Sequence, residues 1–148
     1  MKKFKKAQLL WSIPVIIVLF FISCPIVNTI TASSVAKEIW DIPLPPQTEK
    51  IERISKAGKL VGNGNGMQFF GAVLLESQLS FDELKKYYSD YSQNEWSCIV
   101  DKQNSNEIDE IEHGKLNFDS SVDTSRSFIV YSWGNGVSPF CEFDLRGH

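Results

Sequence analysis

Residues 9–30 carry no charge, and directly before them stand Lys2, Lys3, Lys5 and Lys6. About 20 apolar residues rising 1.5 Å each cross the roughly 30 Å hydrocarbon layer of a bilayer, so this run constrains everything that follows it. It predicts a basic cytoplasmic tail over 1–8 and a transmembrane signal-anchor helix over 9–30. Pro14, Ser23, Cys24, Pro25 and Asn28 dilute the run near its ends, which predicts a firm core from Val15 to Ile22 with frayed flanks. Residues 29–36 bring no positive charge, so the positive-inside bias puts the N-terminus in the cytoplasm. The expectation is a single-pass protein of the cell membrane with its C-terminal domain extracytoplasmic.

Two other fates of the segment stay open. A secretory signal peptide would be cut after a small-x-small site, which Ser34-Val35-Ala36 supplies, although the apolar run is long for one. A lipoprotein would be processed at Cys24, although Phe21-Ile22-Ser23-Cys24 fits a lipobox loosely and Pro25 follows the cysteine. All three fates export the same domain.

Charge is split accordingly. All 18 acidic residues follow the apolar run, against 11 basic ones, which leaves the exported part near −7. A surface of that sign is repelled by anionic headgroups and phosphates, so no nucleic-acid partner is expected. Three cysteines in 148 residues are too few for a disulfide-built scaffold.

The exported chain is long enough for one core. Residues 31–47 are expected to be a stalk, Ser33 to Glu38, and an extended entry segment, because Pro43, Pro45 and Pro46 fix the backbone away from a helix. The α+β domain proper is expected over 48–148. Thr48 to Val61 fits either a helical turn or an edge strand, and the Gly-Asn-Gly-Asn-Gly of 62–66 favours a strand leading into a hairpin. Met67 to Glu76 is apolar on both faces, as in a central strand. Ser80 and Glu83 form a capping box for a helix running to Tyr91, with Phe81, Leu84, Tyr88 and Tyr91 as its apolar stripe and Asn94 closing it. Strands are expected from Trp96 to Asp101, Lys115 to Asp119, Phe128 to Trp133 and Phe140 to Arg146, with a tight turn at Gly134-Asn135-Gly136. The result is a two-layer α+β fold: one main helix packed on a mostly antiparallel sheet.

Few residues advertise chemistry. Cys98 and Cys141 are the two exported thiols, a candidate disulfide if their strands are neighbours and buried free thiols otherwise. The glycine loop fails the dinucleotide and P-loop templates, since Met67 stands where G-x-G-x-x-G needs glycine. Glu107, Asp109, Glu110, Glu112 and His113 are the densest oxygen and nitrogen set, but their spacing fits neither a calcium loop nor a zinc site. A solvated loop is the simpler reading. No catalytic motif points to an enzyme, and neither a cofactor nor a resident metal is expected; an unmarked pair of carboxylates is the alternative to be weighed. The aromatics Phe69, Phe70, Tyr87, Tyr88, Trp96, Tyr131 and Trp133 exceed what one helix hides, so either the entry segment covers the second sheet face or that face, with Phe70, Tyr87, Tyr131 and Trp133 as candidate contacts, binds a protein or envelope ligand.

The stretches Asp41 to Pro46, Gly62 to Gly71, Leu79 to Tyr88 and Leu145 to His148 together resemble small single-pass membrane-anchored proteins of Gram-positive bacteria. That group has no assigned activity or site residues. The resemblance implies an anchor and an exported domain, and nothing on mechanism.

Overall fold

In the computed structural model, residues 2–92, 97–134 and 140–148 are described, with side chains from Ser12 onward. A first helix, α1 (Lys2–Asp41), is followed by β1 (Thr48–Gly58), β2 (Gln68–Ser77), α2 (Phe81–Ser89), β3 (Ile99–Lys102) and β4 (Ser127–Gly134), with a final 3-10 turn at Leu145–Gly147. The four strands make one antiparallel sheet in the order β1-β2-β4-β3, and the fold is α+β. The Asn94 helix stop, the strand start at Trp96 and the turn at Asn135-Gly136 lie outside the described residues.

The apolar run does not end in a stalk. α1 is one unbroken 40-residue helix that passes through Pro14 and Pro25. Its last three turns, which bury Ala32, Val35, Ala36 and Ile39, lie on the sheet as part of the core. The fraying expected at the prolines is absent, and the entry segment begins only after Asp41 rather than at Trp40. Helical burial of residues 32–39 outweighs the pull of the prolines, which act only from Ile42 onward. Lys50 closes the helix by donating from Nζ to the carbonyls of Trp40 and Ile42 while lying over the Trp40 ring, a cation placed where helix carbonyls lack partners.

Small residues let α1 sit this close. Gly71 pairs with Ser132 across β2 and β4, and Gly134 with Phe69. A Cβ built on Gly71 would stand 2.3 Å from the Ala36 backbone nitrogen, and one on Gly134 would stand 2.5 Å from Val35 Cγ2. Helix backbone therefore rests directly on strand backbone. Farther along, Ile39 and Ile42 join Val73, Leu75, Leu84 and Tyr88 in the core beneath α2. α2 begins at the expected capping box: Ser80 Oγ accepts from the Glu83 amide, and Glu83 Oε2 accepts from the Ser80 amide at 2.8 Å.

The opposite sheet face is also closed, but not by the entry segment. Residues 103–122 fold back as an irregular hairpin with a bridge between Glu107 and Asn117, and set Ile108 and Phe118 on Phe70, Leu74 and Ile129. The acidic stretch is thus half of a lid, because its apolar residues point inward between the charges. Lys115–Asp119 contributes only that one bridge. Phe140–Arg146 is no strand. Both edges of β4 are taken by β2 and β3, and the chain after it is held instead by Lys59 N donating to Arg146 O and Gly66 N to Gly147 O.

Gly71→Ala is expected to lower unfolding stability by about 3 kcal/mol or more, since neither backbone can give way. Gly64→Ala, with nothing within 4 Å of its Cβ, should be close to neutral. Urea unfolding of the full chain in mild detergent, followed by tryptophan fluorescence, measures both.

Candidate functional site

The most unusual surface is on α1. Ten large apolar residues between Ile13 and Ile30 are each 51–63% exposed. They run round the helix, so no single stripe could be hidden by docking onto the sheet. The helix is long and apolar enough to cross a membrane from Ser12 onward, and only 11% of its most apolar 18-residue stretch is buried.

Cys98 and Cys141 are not joined in a disulfide and belong to different clusters. Cys98 lies beneath α2 beside Tyr88, where burial pushes its thiol up to about 12 and leaves it inert. Cys141 packs against the α1 side of the sheet and approaches Asn28 at 3.6 Å. The paired strands imagined for the two do not exist, because Cys141 is not in the sheet. Cys24 is buried within α1 and gives its thiol proton to the Phe20 carbonyl.

The four aromatics do not form an open binding face. Phe70 is fully buried and stacks with Tyr131 and Trp133 at centroid distances of 5.7 and 5.0 Å beneath the 103–122 lid. Tyr87 is on the other layer, where its hydroxyl donates to the Pro43 carbonyl and ties the entry segment to α2. Sequence alternation singled out these residues, but could not foresee that a charged loop would bury Phe70 and Tyr131 and partly cover Trp133.

The acidic loop is mostly occupied with holding the glycine loop. Glu112 Oε2 accepts from the Gly62 amide at 2.7 Å, His113 Nε2 lies 2.6 Å from the Gly62 carbonyl, and Lys115 pairs with Glu107. Among the described residues no group of three or more His, Cys, Asp or Glu side chains is placed to hold a metal ion. Glu110 is different. Its Oε2 is buried, with no hydrogen-bond partner among the described residues. Burial raises its pKa, and the negative charges of Asp101 and Asp109 raise it further. Beside it Tyr131 donates to Asp101 Oδ2 at 3.1 Å, and burial together with that carboxylate holds the phenol protonated.

Two further polar places frame the fold. At the end of the sheet remote from the exposed part of α1, a cleft of about 280 Å³ lies between Gln47, Thr48, Glu49, Glu76, Ser77 and Arg126. At the opposite end, buried Asp144 accepts from Asn28 Nδ2 at 2.9 Å and from Arg146, whose guanidinium also reaches the Pro25 carbonyl and Thr29 Oγ1. These bonds bring the Asp144 carboxyl down to about 2, chiefly through Arg146. No signal in the sequence paired residues 116 apart.

No protein family, curated protein or solved structure matches this chain.

Two pH effects follow. Asp144 is depressed in the folded state, so its stabilising bonds are intact above the ordinary value of 3.8 and fail as pH falls towards 2. Acid should therefore release the C-terminal turn from α1 in that window, and Asp144→Asn should flatten the transition; the turn's amide hydrogen exchange reads it. Glu110 is raised, so its charge opposes folding above the ordinary 4.5. Glu110→Gln should raise the urea midpoint at pH 7, and the gain should vanish below 4.5, where both states hold the proton.

Proposed function

We propose that this chain is a single-pass membrane protein: the lysine cluster lies in the cytoplasm, α1 crosses the bilayer uncut, and the α+β domain stands outside as a binding or sensing module for a protein or envelope ligand. The observation that carries this is the exposed apolar girdle of α1, which continues without a joint into a helix end that belongs to the domain's own core. Water would be a poor solvent for ten such side chains; a bilayer is a suitable one.

The same continuity speaks against cleavage. Val35 and Ala36 of the Ser34-Val35-Ala36 site are helical and nearly fully buried. A cut there would remove Ala32, Val35 and Ala36 from the sheet, and a cut before Cys24 would remove the upper helix to which the C-terminal aromatic residues attach. Orientation rests on the four lysines at one end and an acidic domain at the other.

With the aromatic face closed, recognition falls to the distal cleft. It is polar, holds Arg126 between Glu76 and Asp123, and lies at the end of β1 and β2 farthest from the membrane-facing end of the sheet. A second reading, a tethered enzyme using carboxylates, draws on Glu110 alone: a half-buried acid whose Oε2 has no partner among the described residues is held against its own stability, as catalytic acids are.

The anchor predicts that the full chain stays in the pellet after alkaline extraction of membranes, and that external protease digests the domain in intact cells while sparing the lysine end. A chain beginning at Lys37 should fail to give a cooperative urea transition, having lost the core residues Cys24, Ala32, Val35 and Ala36. Soluble folded protein beginning at Lys37 would overturn the proposal.

A further inference from the structure

The C-terminal turn is apolar where apolar residues are least expected on a water-exposed surface. Leu145 is 87% exposed and Phe143 is 48% exposed. Both belong to a segment that does not lie on the domain's free surface but is fastened to α1. Phe143 packs on Phe20 and Phe21 at centroid distances of 5.3 and 6.0 Å, and Phe140 on Phe20 at 5.6 Å. The polar bonds from Arg146 to Pro25 and Thr29, and from Asn28 to Asp144, fix the segment's height on the helix.

That height sets the solvent. A span needs about 20 residues, and the charge-free stretch begins at Ala7. Counting 20 from there reaches Ile26, whereas stopping below Phe20 leaves only 13, about 20 Å of helix, too short for the hydrocarbon layer. A bilayer that encloses the span therefore rises past Phe20 and Phe21, and everything docked beside them meets lipid. The segment is built for the boundary. Asp144 is buried and paired; Arg146, Glu142 and His148 are polar ends for the headgroup zone, and Phe143 and Leu145 project outward.

We infer that the 140–148 turn is a second membrane contact, in which Phe143 and Leu145 insert into the outer-leaflet boundary beside α1. The inference rests on reading α1 as a membrane span. The committed occupant is phospholipid; a second copy of the chain would use the same apolar surface and is distinguished below.

The test uses the full chain in phosphatidylglycerol–phosphatidylethanolamine vesicles. Leu145→Cys, Ile16→Cys and the distal Glu49→Cys, each in a chain with Cys24, Cys98 and Cys141 changed to alanine, carry a nitroxide whose collision rates with oxygen and with a water-soluble nickel chelate are compared. The oxygen-to-nickel ratio should be several-fold higher at 145 than at 49, approaching that at 16. A lipid-like ratio at 16 with a water-like ratio at 145 overturns the second contact and spares the anchor. A water-like ratio at 16 overturns both. Should the cysteine-free chain not fold, a benzophenone amino acid at position 145 of the otherwise native chain gives the same decision: cross-links to phospholipid support the inference, and cross-links to a second chain or none overturn it.

Discussion

The seating of α1 on the sheet is the contact on which the structure depends. Gly71, Ser132 and Gly134 strip one patch of β2 and β4 of side-chain bulk, and Ala32 and Ala36 do the same on the helix. Two backbones then approach to a distance that no larger residue permits. Such contact gains dispersion over many atoms at once and tolerates no partial fit. The consequence is structural continuity: a helix that begins among lysines ends inside the fold, so the apolar helix and the domain are one body.

Much of this was legible in advance. The central strand, the capped helix and the long apolar run each satisfy a local rule with named residues, such as Ser80 with Glu83, and each appears where expected. What was misread shares one cause. The end of α1 reads in the sequence as a stalk from Ser33 to Glu38; in the structure hydroxyls there bond back into the helix, as Thr31 does to Val27 and Ser34 to Ile30. Helicity there is decided by Val35, Ala36 and Ile39 meeting β2, a partner more than thirty residues away in sequence. The C-terminal segment Phe140–Arg146 reads as a last strand of the sheet, whereas its partners include Phe20, Asn28 and Pro25. Tertiary contacts of that range leave no local trace.

The acidic stretch illustrates the same limit from the other side. Its charges suggested solvent, and several of them do work at the surface, clamping Gly62 and pairing with Lys115. Yet Ile108 and Phe118 between them close a sheet face that otherwise would expose Phe70 and its stacked neighbours. Glu110 comes inward with them. Of the residues singled out as chemically interesting, it is the one whose carboxylate meets burial without a full set of partners, and it was hidden among the three other acids of that stretch.

A rod without a swivel also has mechanical meaning. Forty helical residues extend about 60 Å, and the sheet is fastened to the last quarter of them. In a thinner bilayer a helix leans to keep its apolar length covered. If α1 spans a bilayer as proposed, such a lean carries the distal cleft with it, swinging it through an arc above the surface. Lipid composition would thereby set the angle at which that cleft meets whatever approaches it.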